Sequence, residues 1–383
     1  MLNKNIFFKN FKNKKVSKKL KLSLKKLLLE KKGLIDSLSN SYKDSYDIKK
    51  IKKKVKDLDV RLIGMGGSAL GTKAIYHLLK DKITKKFYFI DNLQNKIEFN
   101  QKKNYLNLII SKSGNTLETI SNSNFFIKKR DQNIFLTENK KSYIFSLAQK
   151  LRSEIVHHNN FIGGRYSVLS EVGMLPAELM GLNPSKFRQL NNLIKNKKFI
   201  NSLIANVNSI VSLSNSGKSN SIILNYDPKL RNFLEWYKQL VGESLGKKGK
   251  GILPIISDMP KDNHSVMQLY LDGQKNNFFT FFSLKDISSF KINSKTLLKS
   301  HKFLRNMSLY QIKMIQKNAS ENVFKKKKIP FRSFEISKLD EKNLGELFIF
   351  FILETILIAR SLNVNPYNQP AVEIIKKETK RLF

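Results

Sequence analysis

The stretch YLNLIISKSGNT, Tyr105 to Thr116, decides how the chain is read. Its first half is a six-residue apolar run, Tyr105 to Ile110, of the length and composition of a buried strand. Its second half is SKSGNT: three small hydroxyl residues, a glycine and one lysine. A buried strand that ends in such a cluster delivers a loop to the carboxyl edge of a parallel sheet, where open α/β folds bind ligands. The following LETISNSNFFI reads as a helix, so the loop lies at a helix N-terminus. Unpaired backbone N–H groups and the positive end of the helix dipole are available there for an anion. Hydroxyls and a lysine around them suit a phosphate, while an ordinary helix N-cap with polar neighbours remains the alternative for the hexapeptide alone.

Working outward, the segment from Val60 to Gly163 repeats the same rhythm. The runs VRLIGMG, KFYFIDNL, LNLIIS, NIFLTEN and IVHHNNFIG alternate with helical stretches, which predicts a parallel sheet with crossover helices. A second α/β set follows through SIILNYD, GILPIIS and FFTFFSL. The apolar run LFIFFILETILIA, Leu347 to Ala359, carries Glu354 and is short for a membrane span, so it reads as a buried helix. Lysine-rich residues 1–50, with leucines at helical spacing in KKLKLSLKKLLLEKKGLIDSL, read as amphipathic helices on the outside of a domain. The expected fold class is therefore α/β, with two αβα subdomains built on parallel sheets and helical segments at both ends. The expected boundaries are 1–50, 51–185, 186–345 and 346–383.

Composition narrows the chemistry. With 383 residues and 41% apolar content the chain can bury a large core. It has no cysteine, which excludes disulfides, thiolate metal sites and cysteine catalysis. The five histidines show no metal-ligand spacing, so no metal is expected. The net charge of +41 comes from lysines spread through every segment, which reads as a solvated basic surface and not as a specific nucleic-acid site. The first residues, MLNKNIFFKNFKNKK, lack the apolar stretch of a secretory leader, and the expected location is the cytoplasm without membrane attachment.

Four further segments carry candidate groups. GMGGSALG, Gly64 to Gly71, follows a strand but matches neither the dinucleotide pattern nor a P-loop. Its glycines let backbone approach a ligand closely. In GGRYSVLSEVGMLPAELMG, Arg165 follows two glycines at a site edge. In FLEWYKQLVGESLGKKGKG, Gln239 and Glu243 share one helix face, with Glu243 near the helix end. KDNHSVMQLYLDG places His264 at the opening of a helix, and NQPAVEIIKKETKRLF contains Lys376. A capping or core role for the histidine and a surface role for the lysine are the plain alternatives.

Taken together these segments resemble the glucose-6-phosphate isomerase family of sugar-isomerase (SIS) domain proteins, in family order from Gly64 to Lys376. The resemblance implies reversible isomerisation of glucose 6-phosphate to fructose 6-phosphate through an enediolate, with no cofactor, in a homodimer. It implies a phosphate cradle of Ser111, Lys112, Ser113 and Thr116, with Gly67 and Ser68 on the sugar. Arg165 would stabilise the enediolate, and Glu243 would move the proton between C2 and C1. His264 and Lys376 would assist ring opening, the histidine entering from the partner subunit. Gln239 and Gln369 would position substrate, and Glu118 would orient the histidine. Asn263 before His264, Ala371 before Val-Glu, and Ser113 depart from the usual family residues. The form of SKSGNT leaves open an isomerase that also accepts mannose 6-phosphate. A non-catalytic phosphosugar-sensing module is the remaining alternative, and it would not need the proton-transfer set.

Overall fold

The computed structural model describes every residue except 1, 13–14, 31–32, 56, 95–99, 101–102 and 287. Among the described residues the strands are β1 (Ile6–Lys9), β2 (Asp59–Ile63), β3 (Phe87–Ile90), β4 (Tyr105–Ile110), β5 (Gln132–Thr137), β6 (Glu154–His157), β7 (Asn220–Asn225), β8 (Leu253–Asp258), β9 (Asn277–Leu284) and β10 (Phe331–Ile336). They form two five-stranded sheets, ordered β3-β2-β4-β5-β6 and β1-β10-β9-β7-β8. The first sheet is parallel throughout, with Leu62 opposite Leu108 and Leu108 opposite Ile134. In the second only β1 runs antiparallel, on β10. The α/β class with two largely parallel sheets is the one expected.

Two strands escape the sequence reading. β1 lies inside the N-terminal stretch expected to be helical. Ile6 and Phe8 are buried while Phe7 is half exposed, the period-2 signature of an edge strand. Four residues between lysines and asparagines are too few to stand out from a helical background. β10, six residues with Arg332, Ser333 and Glu335 among its apolar ones, follows the polar KKKKIP. Farther along, helices at Lys18–Leu28 and Leu34–Ser37 match the expected leucine spacing, and the first is capped by Ser17. Residues 31 and 32 of that stretch lie outside the described residues.

The apolar run around Glu354 is the centre of the molecule. It belongs to the helix Glu341–Ser361, in which every residue from 344 to 359 is buried. It packs on the helices Lys197–Asn215 and Arg231–Leu245, with the Trp236 and Phe348 rings 4.7 Å apart. Each fully buried Leu, Ile or Phe contributes about 1.5–3 kcal/mol, so this helix ties the two halves together. Glu354 sits within it because Arg332 of β10 is equally buried and ion-paired to it. Asn206 and Tyr237 complete that network. No helix of the described residues is long and apolar enough to cross a membrane.

Candidate active site

β2 and β4 are adjacent and parallel, with Ile63 opposite Ile109, so their carboxyl ends bring two loops side by side. After β2 the chain turns tightly through Gly66–Ser68 and enters the helix Leu70–Leu78. Gly67 is required by a close approach of backbone to backbone. A Cβ there would lie 2.2 Å from the carbonyl carbon of Gly164, so the GMGG and GGR loops touch directly. After β4, SKSGNT leads into the helix Leu117–Phe126 with Thr116 as N-cap. Gly114 has φ +67°, and a Cβ there would meet Ser142 Oγ at 2.0 Å, so only glycine closes this turn.

The hydroxyl loop presents an uncapped helix start. Thr116 makes no side-chain bond to the helix N–H groups, and its Oγ1 accepts a hydrogen bond from Ser111 Oγ at 3.2 Å. Ser111 is buried and Ser113 exposed at the mouth, where its Oγ accepts from Asn115 N–H. Lys112 points elsewhere. Its ammonium donates to Asn160 O at 3.0 Å and lies 3.4 Å from the buried Glu138 carboxylate. With Lys112 engaged there, what the loop can offer an anion is its hydroxyls and the backbone N–H groups of the helix start.

Arg165 links three distant segments. It follows Gly164 in the turn Gly164–Leu169 and is only 3% exposed. Its Nε donates to Ser244 Oγ at 2.9 Å, and its Nη1 donates to Gln369 Oε1 at 2.9 Å and to Glu243 Oε2 at 3.1 Å. Its Nη2 donates to the carbonyls of Asn368 and Pro366. The guanidinium is thereby fixed in orientation, as a planar fork saturated with acceptors.

Glu243 lies in the last turn of the helix Arg231–Leu245. Gln239, one turn earlier, donates from Nε2 to Glu243 Oε1 at 3.3 Å. Each carboxylate oxygen thus accepts one bond, while the side chain stays 32% exposed to a cleft of about 540 Å³ that Gln369 and Asn368 also line. Gln239 Oε1 is buried and, among the described residues, has no hydrogen-bond partner. A Cβ on Gly66 would touch Gln239 Nε2 at 2.8 Å, so the glycine turn and this amide adjoin. A carboxylate and the Gln369 amide on one cleft, backed by a buried, fixed guanidinium and the Gln239 amide, can remove a proton from carbon and stabilise the negative charge that results.

The structure brings Gly67, Arg165, Gln239, Glu243 and Gln369 into this cluster, with Ser68 on the adjoining turn and Ser111, Ser113 and Thr116 on the neighbouring loop. His264, Lys376 and Glu118 are not part of it. His264 is exposed and closes a 3₁₀ turn, Lys261–His264, instead of opening a helix. Lys376 pairs with Glu373 at 2.7 Å on the helix Pro370–Arg381, which has no buried residue. Glu118 is half-buried in the first turn of its helix, with no contact to either. Sequence reasoning missed Ser244, which anchors both Arg165 and the Tyr166 hydroxyl. Its position beside Glu243 was the available signal.

The profile of the Phosphoglucose isomerase family matches residues 25–382. The chain belongs to the phosphoglucose isomerase family. It is 33% identical over 353 residues to a protein of Methanocaldococcus jannaschii named glucose-6-phosphate isomerase, covering 85% of this chain and 84% of that one. It is 31% identical over 370 residues to the glucose-6-phosphate isomerase of Acholeplasma laidlawii, covering 88% and 86%. Among solved structures, a hypothetical protein from Thermus thermophilus superposes with a TM-score of 0.82 at 21% identity over 94% of each chain. A glucose-6-phosphate isomerase from Chlamydia trachomatis superposes with a TM-score of 0.69 at 18% identity, over 92% of this chain and 78% of that one. These last two share the fold of this phosphoglucose isomerase family member.

Proposed function

We propose that this family member interconverts glucose 6-phosphate and fructose 6-phosphate by proton transfer through an enediolate. The observation that carries the mechanism is the Arg165–Glu243 pair, flanked by Gln239 and Gln369 at the cleft. The 6-phosphate binds the uncapped helix start of SKSGNT through Ser111, Ser113, Thr116 and backbone N–H groups. Lys112 supports that loop through Asn160 and Glu138. Gly67 and Ser68 allow the sugar to lie against backbone.

In the open-chain aldose, Glu243 takes the proton from C2. The C1–C2 double bond forms and negative charge develops on oxygen, where the fixed positive charge of the Arg165 guanidinium stabilises it by a few kcal/mol. Glu243 returns the proton to C1. Oxidation at C2 balances reduction at C1, so the reaction consumes no redox cofactor. Gln239 and Gln369 position the substrate. His264 and Lys376 assist ring opening in a cytoplasmic homodimer, where a second copy supplies the histidine and Glu118 orients it. That part of the reading rests on the family resemblance, and the exposed position of His264 is compatible with it.

A coupled assay for glucose 6-phosphate formation from fructose 6-phosphate tests the reaction. Exchange of the C2 proton with solvent in Glu243→Gln tests the base. Exchange at the wild-type rate in that variant would remove Glu243 from the role.

A further inference from the structure

The helix Arg231–Leu245 ends two residues beyond Glu243, and its last carbonyls form the negative end of a helix dipole. Glu243 stands on that turn, so the proposed base is an anion placed where anions are disfavoured. Lys247 folds back over the same turn. Its ammonium donates to the carbonyl of Glu243 at 2.7 Å and to that of Ser244 at 2.8 Å. Lys247 is half-buried and lines the same cleft as Glu243 and Gln369. The charged groups acting on it are Arg165, from the turn Gly164–Leu169, and Glu243 on the helix just before it, and Lys248 lines the same cleft. From the approach to the helix Pro370–Arg381 it faces Asn365, Asn368 and Gln369, which are neutral.

We propose that Lys247 is a positioning residue for the proton-transfer base: its ammonium offsets the negative helix end beneath Glu243 and fixes the turn that holds the carboxylate between Gln239 and Arg165. The proposal rests on Glu243 being that base. Arg165 cannot serve alone, because its N–H groups are spread over Ser244, Gln369 and two carbonyls as well as Glu243. Burial, with the Arg165 guanidinium adding to it, brings the Lys247 ammonium down to about 8. The support is thus complete at neutral pH and is lost as pH rises through about 8.

The test compares kcat/KM against pH for fructose 6-phosphate in the wild type, Lys247→Met and Lys247→Arg. Titration of the substrate phosphate is common to all three and cancels. In Lys247→Met the acid limb moves up by about half a pH unit, the size expected for losing a favourable charge at a helix end. The change falls on kcat more than on KM. The wild type shows an inflection near pH 8 that Lys247→Arg, charged throughout, lacks. Superimposable profiles for wild type and Lys247→Met, with only Tm lowered, would reduce Lys247 to a helix cap and overturn the proposal. If Lys247→Met does not fold, the inflection decides: its persistence in Lys247→Arg overturns the proposal, and its loss supports it. Solvent exchange in Glu243→Gln separates the two readings. Full exchange there sinks the base assignment itself, whereas an inactive Glu243→Gln with unmoved Lys247 profiles sinks only Lys247.

Discussion

Arg165 Nη1 lies 3.1 Å from Glu243 Oε2 although 78 residues separate them in sequence. The cation is buried and the carboxylate is partly open, so the pair is held from the arginine side and accessible from the other. The exposed edge of Glu243 is the one a substrate can reach. Arg165 is the fixed point about which the base, Ser244 and the Pro366–Gln369 segment are arranged.

Arg165→Lys keeps the charge and loses the fork. A single ammonium cannot satisfy Ser244, Gln369, Glu243 and two carbonyls at once. We expect kcat to fall by about 10²–10³, on the order of the loss of one preorganised electrostatic contact to the transition state. Steady-state kinetics with fructose 6-phosphate measures it; a kcat within threefold of wild type would refute the assignment.

Thr116→Val removes the hydroxyl at the open helix start while keeping the β-branched shape. One unmet charge-assisted hydrogen bond costs about 1–3 kcal/mol, so KM should rise roughly 5- to 150-fold. Competitive inhibition by inorganic phosphate should weaken in parallel. Equal inhibition of variant and wild type would place the phosphate elsewhere.

Much of this arrangement was legible before the structure, for identifiable reasons. Gln239 and Glu243 share a face because helical spacing requires it, and the parallel strands around SKSGNT follow from their apolar runs. What stayed hidden depends on partners remote in sequence. Lys112 looked like a phosphate ligand, but its ammonium is drawn to the carbonyl of Asn160, 48 residues away. Lys247 was one lysine among many until its side chain was seen folded over the turn of Glu243. β1 was hidden because an edge strand of four residues is recognisable only beside β10. The roles of His264 and Lys376 rest on resemblance alone, since among the described residues neither makes a hydrogen bond or ion pair to Glu243.

The buried pair Arg332–Glu354 gives a prediction about stability and not chemistry. Both side chains are 0% exposed, and Arg332 Nη2 also lies 3.3 Å from Glu354 Oε1. Glu354→Gln leaves a buried guanidinium without its counter-charge, which should cost about 3–5 kcal/mol in urea unfolding. Replacing both by Met and Leu should recover most of that loss, because the desolvation cost of both charges disappears together. A double variant no more stable than Glu354→Gln would show that the hydrogen bonds to Asn206 and Tyr237 matter more than the charges.

His158 makes the fold sensitive to acid. It is 2% exposed at the end of β6, and its Nε2 donates to Ile162 O at 3.0 Å, which leaves Nδ1 unprotonated and without a partner. A second proton would create a buried N–H with no acceptor and a cation near Lys112, opposed only in part by Glu138. Burial first, and Lys112 second, push the imidazole down to about 4. The folded value is lower than the unfolded one near 6.5, so between these pH values the unfolded chain binds a proton that the folded chain refuses. Stability is therefore intact above about pH 6.5 and falls as pH drops toward 4, by about 1–2 kcal/mol at pH 5 from this group alone. His158→Gln keeps an N–H for Ile162 and cannot titrate. Its urea midpoint should shift less than that of wild type between pH 7 and pH 5, by an amount matching that energy. The same acid step should loosen the SKSGNT loop, because His158 lies two residues before Asn160, whose carbonyl holds Lys112. Equal acid shifts in variant and wild type would assign the sensitivity to other groups.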